Sequence, residues 1–280
     1  MSASVITRFA PSPTGRLHLG HAYAALFAAR AAREAGGRFL LRIEDIDATR
    51  CRPEFEEAIY EDLSWLGLEW PTPVRRQSEH MAEYGAALDR LKARGLIYPC
   101  FCTRAEIKAE IARAGAAPHG SEGPRYPGTC RRLEPEQRAA RLAQGTPYAL
   151  RLDVGKALAE TGPISWHDRE RGTIAADPLL HGDVVLARKE TPTSYHLSVT
   201  LDDHLQGVTL VTRGTDLFEA THIHRLLQAL LGLDTPDYHH HRLVEGPGGQ
   251  RLAKRAGAPT IASLRNAGRT PAEVRAMVGF

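Results

Sequence analysis

Residues 8–37, RFAPSPTGRLHLGHAYAALFAARAAREAGG, contain a complete passage from strand to helix. SVITRFA, which overlaps the start of this stretch, predicts a strand that ends at a Pro-Ser-Pro-Thr-Gly loop. The alanine-rich segment predicts a helix from about His21 to Glu34 before a glycine pair. A strand, a glycine-containing turn and a helix N-terminus form an anion site, because unpaired N–H groups and the helix dipole face the ligand. His18 and His21 could hydrogen-bond a phosphate there, or could be ordinary surface histidines at a helix start.

The alternation of strands and helices continues to residue 97. RFLLRIED predicts a second strand with acids at its carboxyl end, and RPEFEEAIYEDLSWLG predicts a helix with proline in its first turn. SEHMAEYGAALDRLKARG predicts another helix, with Ser78 as its N-cap. This strand-helix-strand-helix order predicts an α/β domain with a parallel sheet.

Later segments add strands and short helices. PYALRLDV, GTIAA, GDVVLARK and SYHLSVTLDDHLQGVTLVTRG are interpreted as strands, DLFEATHIHRLLQALLG as a helix, YHHHRL as a strand and residues 271–278 as a final short helix. Adjacent side chains of a strand point to opposite faces, so His239, His240 and His241 are expected to be strand residues and not joint ligands of one ion.

Composition limits the class of protein. The 42% apolar and 25% charged content is typical of a soluble globular protein of 280 residues. No stretch approaches the roughly 18 apolar residues of a membrane span, and no secretory leader is visible, so a cytoplasmic monomer without membrane contact is expected. A net charge of +3 permits a nucleic-acid partner without requiring one.

The string RFAPSPTGRLHLGHAY resembles the signature of the class I glutamyl-tRNA synthetases, whose catalytic domain is a Rossmann-type nucleotide-binding fold. The resemblance makes His18, Leu19, Gly20 and His21 the four-residue ATP motif. Gly20 would let the nucleotide approach the backbone at a place where any Cβ would intrude.

A second ATP motif is implied near the C-terminus. GPGGQRLAKRAGAP at 246–259 is similar to the lysine-rich loop of class I synthetases, although by itself it could be a solvated basic loop. Arg251 and Ala253 replace the usual lysine and serine, so binding is expected to persist with altered loop mobility. The resemblance assigns to ATP the residues Arg251, Leu252, Ala253, Lys254 and Arg255. Lys254 holds the key lysine position, and the implied catalytic groups are His18, His21 and Lys254.

The resemblance also implies a glutamate pocket. Its residues would be Arg8, Phe9, Ala10, Pro11, Ser12, Glu44, Tyr195 and Arg213. Cations suit the side-chain carboxylate of glutamate, and Glu44 would receive the α-ammonium. Arg8 and Arg213 are expected near the carboxyl ends of strands, where open α/β sheets bind ligands. In isolation Glu44 could be an exposed strand end and Tyr195 a core residue.

Three cysteines cluster in CFC and RYPGTC. Cys100, Cys102 and Cys130 supply three thiolates, whereas zinc usually takes four ligands. His119 lies in the intervening loop, and reduced structural cysteines without metal are the alternative. Resemblance to the glutamyl-queuosine tRNA(Asp) synthetases, truncated relatives of the glutamyl enzymes, implies Tyr126 as the fourth ligand of one structural zinc ion.

The implied fold is α/β, with the Rossmann-type parallel sheet of class I aminoacyl-tRNA synthetases, a small zinc-binding insert and a short C-terminal helical part. The expected segments are a first catalytic half, the zinc insert, a second catalytic half with the acceptor-binding region, and the second ATP loop with a helical end, at 1–97, 98–133, 134–235 and 236–280. Only 25 residues follow Arg255, so no anticodon-binding domain is expected.

The implied activity is Mg²⁺- and ATP-dependent activation of L-glutamate without tRNA, followed by transfer to the queuosine of tRNA(Asp). Composition and periodicity alone reach only an α/β nucleotide-binding protein. The alternatives are a compact fragment of a discriminating glutamyl-tRNA synthetase and a zinc-bearing RNA-binding module. An adenylating enzyme such as one that makes pantothenate is opposed by RFAPSPTG and RIEDID.

Overall fold

The computed structural model describes residues 4–107, 119–120, 123–244 and 259–280. Its strands are β1 (Ile6–Phe9), β2 (Arg38–Ile43), β3 (Arg75–Arg76), β4 (Ile97–Cys100), β5 (His119–Gly120), β6 (Gly123–Pro124), β7 (Ala149–Leu152), β8 (Ser165–Asp168), β9 (Gly172–Ala175), β10 (Val185–Ala187), β11 (Leu210–Gly214) and β12 (Asp237–His241). Its helices are α1 (Leu19–Glu34), α2 (Pro53–Trp65), α3 (Met81–Ala93), α4 (Pro135–Ala143), α5 (Val154–Thr161), α6 (Tyr195–Leu205), α7 (Ala220–Leu231), α8 (Ile261–Asn266) and α9 (Pro271–Met277).

Parallel strands form the part of the fold that positions the predicted site. β1 pairs with β2 and β2 with β3, while β12 lies between β11 and β8, and all of these pairs are parallel. Thr209, just before β11, donates its N–H to the carbonyl of Ile6 at 3.0 Å, and the Ile6 N–H returns to Thr209 Oγ1 at 2.9 Å. The carboxyl ends of β1, β2 and β11 therefore meet, as the sequence predicts.

The remaining pairing is antiparallel, so the expected parallel sheet accounts for only part of the strand pairing. β7 lies between β4 and β10, antiparallel to both, and β9 folds back on β8. Tight connections such as the turn from β8 to β9 can join only antiparallel neighbours. The architecture is thus α/β with mixed sheets.

The segment 195–205 was expected to be a strand, and this expectation is wrong. It forms α6, and the Ser194 hydroxyl caps the helix by accepting the Leu197 N–H at 3.4 Å. Residues on every side of α6 are buried, from His196 through Asp203. A helix that is covered all round loses the one-sided apolar pattern that distinguishes it from a buried strand.

Two helix starts also differ from the predictions. α1 begins at Leu19 and not at His21, because His18 is the N-cap. Ser78 does not cap α3: a 3₁₀ turn at Gln77–His80 comes first, and the N–H and hydroxyl of Ser78 bind Asp45 at 2.8 and 2.5 Å.

Two apolar cores support the sheets. One joins α1, β2 and α2 to the C-terminal α8 and α9, and includes Phe27, Leu41, Leu63, Ile261 and Val274. The other joins α3, β7, α6 and α7, and includes Tyr84, Leu91, Leu152, Leu197 and Leu226. Burial of each such side chain contributes about 1.5–3 kcal/mol to the stability of the fold. The apolar contacts of α8 and α9 therefore hold the C-terminal residues against α1. Among the described helices, none combines the length and apolar character needed to cross a bilayer.

Candidate active site

The two histidines of the first motif are fixed at the start of α1. His18 Nδ1 accepts the Gly20 N–H at 3.1 Å, and His21 Nδ1 accepts the His18 N–H at 3.2 Å. Their ring centres are 3.8 Å apart. Because Nδ1 is the acceptor in both rings, the neutral forms carry their protons on Nε2. Two N–H donors at a helix N-terminus suit an anionic ligand such as a phosphate.

The segment that follows the second motif returns to the first motif. Thr260 forms a β-bridge with His18, and the Ile261 N–H donates to the Leu17 carbonyl at 2.9 Å. The chain therefore re-enters the described structure beside the predicted ATP site. The motif itself, Arg251, Leu252, Ala253, Lys254 and Arg255, lies outside the described residues.

A cavity of about 220 Å³, here called the inner cavity, opens at the carboxyl ends of the parallel strands. Its lining includes six of the predicted glutamate-binding residues, Arg8, Phe9, Ala10, Glu44, Tyr195 and Arg213. Pro11 and Ser12 are not in that lining. The Pro11 carbonyl accepts the Glu44 N–H at 3.0 Å, whereas Ser12 is exposed. The structure thus brings most of the predicted pocket together from β1, β2, α6 and β11.

Below the inner cavity lies a buried ion-pair network that sequence reasoning missed. Asp203 accepts from Arg8 Nε at 2.9 Å and from Arg42 Nη1 at 2.8 Å, and Arg42 Nη2 donates to Glu44 Oε1 at 3.2 Å. Burial raises the pKa of Asp203, but Arg8 and Arg42 outweigh it and hold this pKa below its ordinary value. Burial raises the pKa of Glu44, and the two guanidinium groups oppose that rise. The positive charges of Arg8 and Arg42 are thus balanced by the carboxylates of Asp203 and Glu44.

Arg213 is held in a different way, by neutral groups. Its Nε donates to His240 Nε2 at 3.1 Å, its Nη1 to His224 Nδ1 at 3.0 Å and its Nη2 to the Thr221 hydroxyl. Burial, together with the charge of Arg213, lowers the pKa of His240 to about 4 and that of His224 well below its ordinary value. Both rings are neutral at pH 7.

The positive charge of Arg213 therefore has no carboxylate in contact among the described residues. Asp168 is separated from Arg213 by His240, whose Nδ1 it bonds at 2.7 Å. Three of the five guanidinium N–H groups go to the neutral acceptors. Since Arg8 is neutralised by Asp203, Arg213 supplies the excess positive charge of the inner cavity, which suits a ligand with one net negative charge.

The expectation that the three adjacent histidines are strand residues is confirmed. They lie in β12, where His239 bonds Glu170, His240 faces Arg213 and His241 packs edge-on against Tyr23.

A second cavity of about 500 Å³, here called the outer cavity, adjoins the first. Tyr195 lines both cavities. The other polar residues in the lining are Asp47, Tyr126, Arg151, His181, Asp183, Arg188, Thr191, Thr193, Ser194 and His196. Thr193 is 2% exposed, and its hydroxyl has no hydrogen-bond partner in the described part of the chain. The outer cavity can therefore accept a polar ligand next to the predicted glutamate pocket.

The three predicted cysteine ligands converge next to Tyr126, which lines the outer cavity. The Sγ atoms of Cys100, Cys102 and Cys130 all lie within 4.8 Å of one another. The Tyr126 hydroxyl is 3.6 Å from Cys102 Sγ and accepts the Cys130 N–H at 2.8 Å. The side chain of His119 lies outside the described residues.

The chemistry of this donor set fits a metal ion. Burial raises the pKa of the Cys102 thiol to about 12. A thiolate at this place therefore needs a compensating positive charge, which a divalent metal would provide. Three sulfurs and one phenol oxygen give the four donors that structural zinc takes.

Comparisons with known proteins agree with this geometry. The family model for tRNA synthetases class I (E and Q), catalytic domain, matches residues 4–279. A glutamyl-Q tRNA(Asp) synthetase of Rhodobacter capsulatus is 51% identical over 99% of this chain and 100% of its own length. Another, of Symbiobacterium thermophilum, is 47% identical over 95% of this chain and 83% of its own.

A similar solved structure is a glutamate tRNA ligase from Elizabethkingia meningosepticum in complex with its amino acid. It superposes with a TM-score of 0.74 at 31% identity and covers 92% of this chain. The present chain spans only 54% of that solved chain, which is just over half its length. With a family model over nearly the whole sequence and full-length relatives at about half identity, the chain belongs to the class I tRNA synthetases of the glutamate and glutamine (E and Q) type.

Proposed function

We propose that this ligase activates L-glutamate with ATP and transfers the glutamyl group to the queuosine of tRNA(Asp). The observation that carries the proposal is the inner cavity, where an uncompensated Arg213 and the carboxylate of Glu44 lie beside the predicted ATP motif. Relatives named glutamyl-Q tRNA(Asp) synthetase support the choice of acceptor.

Glutamate is recognised by charge at both ends of the inner cavity. Arg213 binds the side-chain carboxylate, since its positive charge lacks a counter-ion among the described residues, and Arg8 lies on the same wall. Glu44 accepts from the α-ammonium. Of the other residues assigned to glutamate, Phe9, Ala10 and Tyr195 line the cavity, while Pro11 supports Glu44 and Ser12 lies outside the lining.

Activation needs no nucleophilic side chain. An oxygen of the α-carboxylate attacks the α-phosphorus of ATP, the bond to the β-phosphate breaks, and glutamyl-adenylate and pyrophosphate result. His18 and His21 donate Nε2–H bonds to the phosphates at the backbone of Leu19 and Gly20. Lys254 is assigned to the phosphates as well, together with Arg251, Leu252, Ala253 and Arg255 of the second motif. Mg²⁺ bound with ATP would offset phosphate charge.

In the second step the outer cavity, next to the adenylate, holds the acceptor. A hydroxyl of the queuosine ring in the outer cavity attacks the activated carbonyl, the bond to the AMP oxygen breaks, and the hydroxyl proton leaves with AMP or to water. Positioning of the two reactants supplies the acceleration.

A zinc ion held by Cys100, Cys102, Cys130 and Tyr126 would be structural, because four protein donors leave no open position. It would fix an insert at 98–133 between catalytic halves at 1–97 and 134–235, ahead of the loop and helices at 236–280. We further propose that the protein works as a monomer in the cytoplasm.

Transfer of radiolabelled glutamate to purified tRNA(Asp), with and without queuosine, and to tRNA(Glu) tests the proposal. Label only on queuosine-bearing tRNA(Asp) is expected. Label on tRNA(Glu) alone would favour a compact glutamyl-tRNA synthetase. ATP–pyrophosphate exchange that depends on glutamate but not on RNA, measured in parallel, tests the first step by itself.

A further inference from the structure

A further cavity of about 440 Å³, here called the side cavity, lies between α3 and the three-stranded sheet of β4, β7 and β10. Apolar side chains form much of its wall, among them Leu88, Ile97 and Leu150. Its volume falls within the roughly 300–1,000 Å³ of pockets that hold small organic groups. None of the described residues assigned to ATP, glutamate or zinc belongs to its lining. The side cavity thus has no ligand in the proposed chemistry.

Two large apolar side chains are exposed at the side cavity. Leu142 and Tyr148 are 42% and 41% exposed, and both belong to its lining. The Tyr148 ring is inclined at 65° to that of Phe101, with 5.8 Å between ring centres, and contacts no other ring in the described part of the chain. Single exposed apolar side chains are ordinary, whereas two at one cavity form a patch of the kind that binds a partner. The ring of Tyr148 offers that partner a planar surface.

The charges at the side cavity are mainly positive. Lys92, Arg188 and Lys189 belong to the lining, against one carboxylate, that of Asp89. None of the three cationic side chains forms an ion pair with a described residue. Cations next to an exposed aromatic ring are typical of sites for single-stranded nucleic acid, because phosphates bind the cations and bases stack on the ring. A purely apolar partner would instead take these charges out of water at a cost.

Arg188 connects the side cavity to the outer cavity, because it belongs to the lining of both. Two neighbouring residues of β7 divide between the cavities, since Leu150 lines the side cavity and Arg151 lines the outer one. Adjacent side chains of a strand point to opposite faces, so the two cavities lie on opposite faces of the sheet. β10 is an edge strand of that sheet, and Arg188 follows it directly. A strand of RNA that leaves the outer cavity can therefore pass round this edge at Arg188.

We propose that the side cavity binds a second, unpaired nucleotide of the RNA acceptor, whose base stacks on Tyr148 and whose phosphates contact Arg188 and Lys189. This inference rests on the proposed function, in which the outer cavity holds the modified nucleoside. Stacking tolerates any base, so the site fixes the position of the RNA strand and does not read its sequence. It contributes affinity for the RNA and takes no part in the activation of glutamate.

Two substitutions at Tyr148 separate the ring from its hydroxyl. Tyr148→Ala removes the stacking surface, and we expect KM for queuosine-bearing tRNA(Asp) in glutamyl transfer to rise about tenfold, the effect of one lost base–aromatic stack. Tyr148→Phe keeps the ring and should stay within about twofold of wild type. Glutamate-dependent pyrophosphate exchange without RNA should be unchanged in both, which shows that the variants are folded. Met277→Ala, at a side chain of α9 that is 49% exposed and outside the lining of the side cavity, is the matched control.

The dependence of RNA binding on salt tests the cations separately. Each phosphate contact contributes about 0.7 to the slope of log Kd against log salt concentration for a single strand. Lys189→Gln should therefore lower this slope for queuosine-bearing tRNA(Asp) by about 0.7. Arg33→Gln, at an exposed arginine of α1, should leave the slope unchanged.

Equal values of KM in Tyr148→Ala and wild type would overturn the inference, as would a rise that Tyr148→Phe shares or a parallel loss of exchange. A dimer that Tyr148→Ala dissociates, observed by sedimentation, would show that a second copy of the chain covers the side cavity and would overturn it as well. A wild-type protein that exchanges pyrophosphate but labels no RNA would instead contradict the proposed function, and this inference with it.

Discussion

Arg42 and Asp203 form an ion pair below the inner cavity, with 2.8 Å between Nη1 and Oδ1 and side-chain exposures of 0% and 8%. Asp203→Asn would leave Arg8 and Arg42 with one carboxylate fewer in a buried site. We expect the free energy of unfolding to fall by about 3–5 kcal/mol, measured by urea denaturation. Glu34→Gln, in the exposed pair with Arg30, is the control and should change it by less than about 0.5 kcal/mol. Equal effects of the two substitutions would refute a stabilising role for the network.

Arg213→Lys should weaken use of glutamate. Lysine keeps the charge but cannot reach three acceptors in the plane of a guanidinium. We expect kcat/KM for glutamate in pyrophosphate exchange to fall about 10- to 100-fold, the effect of a charge-assisted contact. Arg225→Lys on the same helix as His224 should leave it unchanged, because Arg225 Nε bonds only the Ser165 carbonyl among the described residues. An unchanged value in Arg213→Lys would exclude Arg213 as the principal carboxylate partner.

Metal content tests the cysteine cluster. The purified protein should contain about one zinc per chain, measured by plasma mass spectrometry, and Cys102→Ser should lose it and melt at a lower temperature. Cys51→Ser is the matched control, since Cys51 is remote from the other three cysteines in the sequence and outside the cluster. Tyr126→Phe should bind zinc more weakly than wild type. A zinc content of one per chain in Tyr126→Phe would show that another residue supplies the fourth ligand.

Asp62 on α2 should make stability depend on pH. It is fully buried, neither carboxylate oxygen has a hydrogen-bond partner in the described structure, and burial raises its pKa from 3.8 to about 6 despite Arg265 at 3.6 Å. The folded state binds this proton more tightly than the unfolded state, so the stability it contributes is present below pH 4 and is lost as the pH rises to 6.

Asp62→Asn should therefore stabilise the protein by about 1–3 kcal/mol at pH 8 and have little effect near pH 4, measured by denaturant unfolding at both values. Glu61→Gln, which removes an exposed partner of the same arginine, serves as the comparison. A stabilisation that is equal at both pH values would show that the carboxyl does not titrate in this range.

Local patterns in the sequence were sufficient for the parts of the site built from one continuous segment. The strand, loop and helix around His18 and His21, and the place of Arg8 and Glu44 at strand ends, follow from residue order and turn chemistry. The cysteine cluster was also predictable, because its residues lie in two short motifs.

The charge network was not predictable in this way. Arg42 and Asp203 are separated by 161 residues, so no local pattern joins them. Interpretation of 195–205 as a strand would have placed Asp202 and Asp203 on opposite faces, whereas the helix carries both into buried positions around Arg42. Periodicity fails for a helix that is covered on all sides, and this helix carries Tyr195, His196 and Asp203.

The ring of Tyr195 is a shared wall between the inner and outer cavities. An amino acid too bulky for 220 Å³ would press on Tyr195, and displacement of this side chain would narrow the outer cavity, where the acceptor is proposed to bind. A change in the inner cavity would in this way alter the shape of the outer cavity, because one side chain belongs to both linings.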